Sequence, residues 1–253
     1  MICARRFAAA AALVTLALSA LALSALAWPA LAVVGPARDG DRYSDRVVMV
    51  LALRGARQSV CSGVALGPRV VLTAAHCVEG VAHTLVAIRR DGRTAPVVVA
   101  AVARHPRYDP DAPRDRRISI DLGLVETTTP LDGFKYAEIA AARPSLGEAV
   151  TVAGFGVTRE GGPPSDGHIR AADLVVSAPL SNVTLWAKDP HTSGLGACHG
   201  DSGGPIYAAD GRLAAVVAWT NGFKGHGCGA ITQGPLVAPE RAWIEKIRAR
   251  WGR

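Results

Sequence analysis

Short apolar runs separated by turn residues recur along the chain, at strand length rather than helix length. Arg46-Val47-Val48-Met49-Val50-Leu51-Ala52-Leu53 is a β-branched run that reads as a buried strand. Gln58 to Leu66 and Arg69 to Leu72 follow as two more, with Gly67-Pro68 as the turn between them. Thr84–Arg90 and Ala95–Val102 continue the series. Ile118 to Val125 alternates around one carboxylate, Asp121, and predicts a strand with an acid inside it. Such a burial is costly unless the carboxylate is paired, by a strand-end backbone amide or by a partner histidine. After a proline-rich connection, from Pro130 to Pro144, come Ala149–Phe155 and Ile169–Ser177. Ile206–Ala208 and Leu213–Trp219 flank an Asp210-Gly211 hairpin turn. One helix is predicted, Pro239 to Arg250. Proline and Glu240 lie early and basic residues late, as the helix dipole favours, and Trp243, Ile244, Ile247 and Trp251 share a face. The pattern predicts an all-β protein in two halves with a C-terminal helix.

The first 32 residues have a different pattern. Arg5 and Arg6 precede a long apolar run and then small residues, which reads as a secretory signal. An uncleaved membrane anchor is the alternative. Two cleavage sites fit. Cutting after Ala25-Leu26-Ala27 leaves Trp28 first, and cutting after Ala30-Leu31-Ala32 leaves Val33 first.

Composition narrows the class. At 253 residues, 49% hydrophobic and 19% charged, the chain can bury a sizeable core and is globular rather than disordered. Its 27 glycines and 16 prolines suit many turns. The net charge of +7 falls to +5 once Arg5 and Arg6 leave with the signal, and a basic solvated surface accounts for it. No nucleic-acid partner is expected, and no stable membrane insertion after signal removal.

Beyond Cys3 there are four cysteines, Cys61, Cys77, Cys198 and Cys228. Four allow three pairings, and the grouping of two early and two late favours Cys61–Cys77 and Cys198–Cys228. An even number behind an export signal implies an oxidising compartment, so a secreted or periplasmic location is expected. None of the pairs has the spacing of a zinc knuckle, and no metal or cofactor is expected.

Three stretches carry candidate chemistry. In Ala197-Cys198-His199-Gly200-Asp201-Ser202-Gly203-Gly204-Pro205 a serine sits among glycines that allow a tight turn. Such a turn can aim the Gly200 and Ser202 amides at one point, as a developing oxyanion requires. Ser202 is inert without a base. Leu72-Thr73-Ala74-Ala75-His76-Cys77 offers one, an accessible histidine beside a candidate half-cystine. Asp121 offers the buried carboxylate that holds such a histidine in one tautomer. The order His, Asp, Ser excludes the subtilisin and α/β-hydrolase arrangements.

These blocks resemble the trypsin/chymotrypsin family of serine peptidases. Thr73-Ala74-Ala75-His76-Cys77, Asp121-Leu122-Gly123-Leu124 and Gly200-Asp201-Ser202-Gly203-Gly204-Pro205 match its three signature blocks, and Gly154-Phe155-Gly156 and Ala218-Trp219 fit two lesser ones. The resemblance runs from Val33 to the final helix. It implies a peptidase domain over 33–253 after a signal at 1–32. Two six-stranded antiparallel β-barrels are implied, at about 45–135 and 145–237, with the helix at about 239–250. It implies proteins or peptides as substrates, attack by Ser202, His76 as base and Asp121 as its orienter. It also implies an ion pair between Asp201 and a new N-terminal ammonium at Val33. The family's pocket base falls on Gly196, which carries no acid for a basic substrate side chain. Thr220 narrows the pocket mouth and Gly229 forms the other wall, so small or medium apolar residues are expected before the scissile bond. Ala218 stands where the family usually has a serine bonded to the aspartate, which implies modest turnover. The competing readings are a weak or silent binding protein on the same fold and a lipase-like esterase.

Overall fold

A computed structural model of the chain describes residues 33–252, apart from 55–56, 81–82, 91–92, 113, 116, 164, 166 and 224. The expected signal at 1–32, with Cys3, lies outside the described residues.

The first half holds β1 (Arg38–Asp39), β2 (Val47–Arg54), β3 (Arg57–Gly67), β4 (Val70–Thr73), the one-turn helix α1 (Ala75–Val78), β5 (His83–Arg90), β6 (Arg93–Arg104) and β7 (Gly123–Thr127). Strands β2 to β7 close into an antiparallel barrel in the order β2-β3-β4-β7-β6-β5. The continuous apolar run Val70-Val71-Leu72 follows from its position. Val71 points into the barrel with Val48, Val50, Val86 and Val125. Val70 and Leu72 point the other way, into a core shared with Leu213, Val216, Ile244 and Ile247 of the second half. A strand buried on both faces has no polar side to show.

The second half holds β8 (Ala149–Gly154), β9 (Arg170–Val176), β10 (Thr184–Lys188), β11 (Pro205–Ala208), β12 (Leu213–Val216), β13 (Trp219–Gly222), β14 (Gly229–Pro235) and the helix α2 (Arg241–Arg250). Its sheet runs β12-β11-β8-β9-β10-β14-β13, with β1 added alongside β9. The sequence predicts a second closed six-stranded barrel. Among the described residues no ladder joins the two end strands, and an isolated Ala215–Leu236 bridge connects β12 to the chain just past β14.

Two differences from the expected strands have clear causes. Ile118–Val125 is not one strand: residues 117–122 are irregular and β7 begins at Gly123, so Asp121 stands just ahead of the strand. Leu213–Trp219 is split because the chain changes partner. The Val217 N–H donates to Gly204 O, whereas the Ala218 N–H donates to Gln233 O on β14. Strands β10 and β14 are absent from the sequence reading. In β14 two glycines and a proline hide the strand, yet Gly234 is required, since a Cβ there would lie 1.6 Å from Val216 O.

Helix α2 buries Ile244 and Ile247 as its periodicity predicts, after a 3-10 turn at Ala238–Glu240. It is pinned to the first half by Glu240, whose Oε2 lies 2.9 Å from His105 Nε2, while Trp243 meets the same imidazole edge-on at 4.8 Å.

Candidate active site

His76 lies in α1 at the end of β4, and its neighbour Cys77 is bonded to Cys61 on β3. The sequence-favoured pairing is therefore present, and so is Cys198–Cys228. In each cluster of two cysteines and a histidine the sulfurs are joined to each other, so no thiolate remains for a metal.

Asp121 meets His76 through both oxygens. Oδ2 lies 2.6 Å from His76 Nδ1, and Oδ1 accepts the His76 backbone N–H at 2.9 Å. The carboxylate has no proton to give, so the imidazole proton sits on Nδ1 and Nε2 carries a lone pair. The irregular stretch holding Asp121 is anchored on both sides. Ile120 and Leu122 are buried, and Leu122 O accepts the His105 N–H. Ala218 lines the same cleft and offers Asp121 no hydroxyl.

Ser202 follows a turn in which the Asp201 N–H donates to Cys198 O, with Gly200 at φ +95°. That conformation needs glycine, and a Cβ there would also stand 2.8 Å from Gly156 Cα. Gly203 (φ +84°) is tighter, since a Cβ would lie 2.1 Å from both Ser62 O and Thr73 Oγ1. Ser62 of the barrel fastens this loop to the first half. Its N–H donates to Ser202 O (2.7 Å) and its hydroxyl to Gly200 O (2.9 Å). Thr73 Oγ1 in turn donates to Ser62 O. Ser202 O is also 3.8 Å from Cys77 Sγ, next in sequence to His76. Sequence reasoning missed Ser62; its place beside Cys61 was the available signal.

The amides of the turn are oriented from behind. A trans peptide directs its carbonyl and N–H to opposite sides. His199 O accepts the Val157 N–H at 2.7 Å, which orients the Gly200 N–H. Asp201 O accepts the Gly204 N–H at 2.9 Å, which orients the Ser202 N–H. Neither the Gly200 nor the Ser202 amide donates to an acceptor among the described residues.

Asp201 itself is fully buried. Its Oδ1 accepts the Gly156 N–H and its Oδ2 the Cys198 N–H, at 2.9 and 2.8 Å. A Cβ on Gly154 or Gly156 would fall 2.3–2.7 Å from its carboxyl atoms, which is why the Gly-Phe-Gly stretch takes that form. Burial pushes the carboxyl up to about 7, against the pull of the two amides and of Arg170. Val33 is also buried, and Val34 exchanges two backbone hydrogen bonds with Gly196.

Gly196 faces Gly229 and Thr232; a Cβ on it would be 3.3 Å from Gly229 Cα and from Thr232 Oγ1. The β13–β14 register sets Thr220 opposite Thr232, while Gly229 pairs with Gly222. Thr232 therefore joins Gly196, Thr220 and Gly229 in this group, although the sequence reading did not include it. Its hydroxyl accepts the Ala197 N–H at 3.0 Å. A separate cleft of about 470 Å³ opens beside His76 and Asp121, lined in part by Tyr108, Ile118, Val183 and the exposed Trp219.

The trypsin family's sequence model matches residues 36–236. The chain belongs to the trypsin family of serine proteases. Trypsin eta of Drosophila melanogaster is 31% identical over 244 residues, covering 87% of this chain and 89% of that protein. Human granzyme M is 30% identical over 218 residues, covering 76% and 80%. Among solved structures, mouse neuropsin, a serine protease expressed in the limbic system, superposes with TM-score 0.68 at 23% identity, covering 84% of this chain and 98% of that one. Human heparin binding protein does so with TM-score 0.67 at 20% identity, covering 84% and 96%. These likenesses establish the trypsin fold. Family membership indicates a serine endopeptidase acting on proteins or peptides, and no helix among the described residues is long and apolar enough to cross a membrane.

Proposed function

We propose that the chain is an exported serine endopeptidase that hydrolyses peptide bonds through an acyl-enzyme on Ser202. The observation that carries this reading is the double contact between Asp121 and His76. With Nδ1–H held by the carboxylate, Nε2 is the base that takes the Ser202 hydroxyl proton as Oγ adds to the substrate carbonyl. The carbonyl oxygen becomes an oxyanion, and the Gly200 and Ser202 amides donate to it. Support for that role is their fixed orientation, set by the bonds to His199 O and Asp201 O. The imidazolium then gives its proton to the leaving amine. Water, deprotonated by the same nitrogen, hydrolyses the acyl-enzyme. No metal or cofactor enters this sequence.

Gly196, Thr220, Gly229 and Thr232 form the pocket for the residue before the scissile bond. Two threonines side by side on the β13–β14 pair leave room for small or medium apolar side chains, and a group without an acid does not favour Arg or Lys. Residues 1–32 serve as the export signal and 33–253 as the peptidase domain, whose second half closes into a barrel. The protein works in the periplasm or outside the cell. Cleavage after Ala32 frees the Val33 ammonium to pair with Asp201. Two features support this. Val33 and Asp201 are both buried, and the Val33 φ of +60°, rare for a β-branched residue, is released when the bond to residue 32 is cut.

The test is turnover of a peptide with a small apolar residue before the scissile bond. Folded wild type cleaves it and Ser202→Ala does not. Wild type that is folded and inert would favour the binding-protein reading. N-terminal sequencing of the secreted protein is expected to start at Val33; fully active protein starting at Trp28 would remove the ammonium from the account.

A further inference from the structure

Arg170 is a charged side chain buried in the second sheet, at 5% exposure. Its Nη1 donates to Val33 O at 3.1 Å and its Nη2 donates to Ala37 O, while its buried Nε has no partner. Burying a guanidinium costs several kcal/mol, and two neutral carbonyls do not neutralise it. The nearby anions show what does. On β9, Arg170 stands opposite Gly154 of β8 and opposite Asp39 of β1. Gly154 is one of the two glycines whose missing side chains make room for the Asp201 carboxylate. Asp39 is exposed and Asp201 fully buried, so the interaction with Asp201 is the less screened of the two. The attraction is mutual: each group stabilises the charge of the other.

We propose that Arg170 is a positioning residue for the catalytic turn: it straps the Val33–Ala37 segment down through two carbonyls and supplies a fixed internal cation that favours the charged form of Asp201, the acceptor of the Gly156 and Cys198 amides. The proposal rests on the reading of Ser202 and its turn given above. It assigns to a side chain of the sheet a share of the work expected of the Val33 ammonium. Asp201 then has two cations, one that depends on where the leader is cut and one built into β9.

Two substitutions in the secreted protein separate the strap from the charge. Arg170→Gln keeps hydrogen-bond donors without the charge, and Arg170→Lys keeps the charge. Arg170→Gln is expected to lower kcat roughly tenfold or more with KM within about twofold, short of the about 10²–10³ that follows loss of an oxyanion donor. Arg170→Lys is expected to keep kcat within about threefold of wild type, since the cation remains. Amide hydrogen exchange gives a readout that needs no turnover. The Gly156 and Cys198 amides, which donate to Asp201, exchange faster in Arg170→Gln and not in Arg170→Lys. Unchanged kcat and unchanged exchange in Arg170→Gln overturn the proposal. So does equal loss in both variants, which would make Arg170 a structural strap alone. If Arg170→Gln does not fold, Arg170→Lys decides, and a folded Lys variant with kcat lost overturns it. Wild type that turns over nothing defeats the Ser202 reading, whereas the exchange result still decides Arg170.

Discussion

His76 and Asp121 are joined through both carboxylate oxygens, one to the imidazole Nδ1 and one to the histidine's own backbone N–H. The carboxylate thus fixes the ring and the main chain of the same residue. Asn at this position can accept the backbone N–H with its carbonyl oxygen, but its NH₂ then donates to Nδ1 and moves the imidazole proton to Nε2. Asp121→Asn is expected to lower kcat on the order of 10⁴-fold, the cost of the wrong tautomer, with the fold intact by circular dichroism. A loss under tenfold would show that Asp121 does not orient the base.

Gly203 is the glycine of the turn least able to change. A methyl group would meet Ser62 O and Thr73 Oγ1 at 2.1 Å, at a φ of +84°. Both contacts belong to the first barrel, so the strain falls on the junction between the halves. Gly203→Ala is expected to destabilise the protein by well over the about 1 kcal/mol that the same replacement can gain at a compatible site. Gly211, at φ +80° with open space around it, is the control and is expected to lose much less. Equal melting temperatures for the two variants would contradict the packing described.

Asp201 predicts a pH dependence with a definite sign. Burial raises its carboxyl from 3.8 to about 7 in the chain that is continuous through Val33. Between those values the folded state holds a proton that the unfolded state has released. This contribution to stability is therefore fully present below about pH 4 and is lost as pH rises through about 7. An ammonium at Val33 draws the carboxyl back down and flattens the dependence. Melting curves from pH 4 to 8 are expected to fall more steeply for protein extended to Trp28 than for protein starting at Val33. Parallel curves would contradict the proposed ion pair.

Thr220 and Thr232 stand side by side on the β13–β14 pair. Thr220→Gly and Thr232→Gly each remove branched bulk, and the double variant is expected to shift preference toward large apolar residues such as Phe. One lost or gained methylene in such a pocket is worth about 1–3 kcal/mol, or roughly 10–200-fold in selectivity. Peptide-library profiling measures it, and an unchanged profile would place the pocket elsewhere.

Much of this was legible because strands with one buried face, or two, announce themselves in the order of apolar residues. Val47–Arg54 and Val70–Thr73 were readable for that reason, and the three blocks around His76, Asp121 and Ser202 were readable as motifs. Strand β14 was hidden, because Gly229 and Gly234 are chosen for close backbone approach and not for strand propensity. Thr232 was missed with it, since its place opposite Thr220 is a matter of register. Ser62 and Arg170 act through contacts 138 and 137 positions away in sequence; the neighbouring Cys61 is the one local mark of Ser62, and no local pattern marks Arg170.

Peptide-bond hydrolysis at this site requires Ser202 to be a nucleophile activated by His76. Reaction of the folded protein with a fluorophosphonate probe, followed by mass-spectrometric mapping of the adduct, tests it most directly. One adduct is expected, on Ser202, lost in His76→Ala and in Ser202→Ala. Folded protein without an adduct, or with its adduct on another residue, would contradict it.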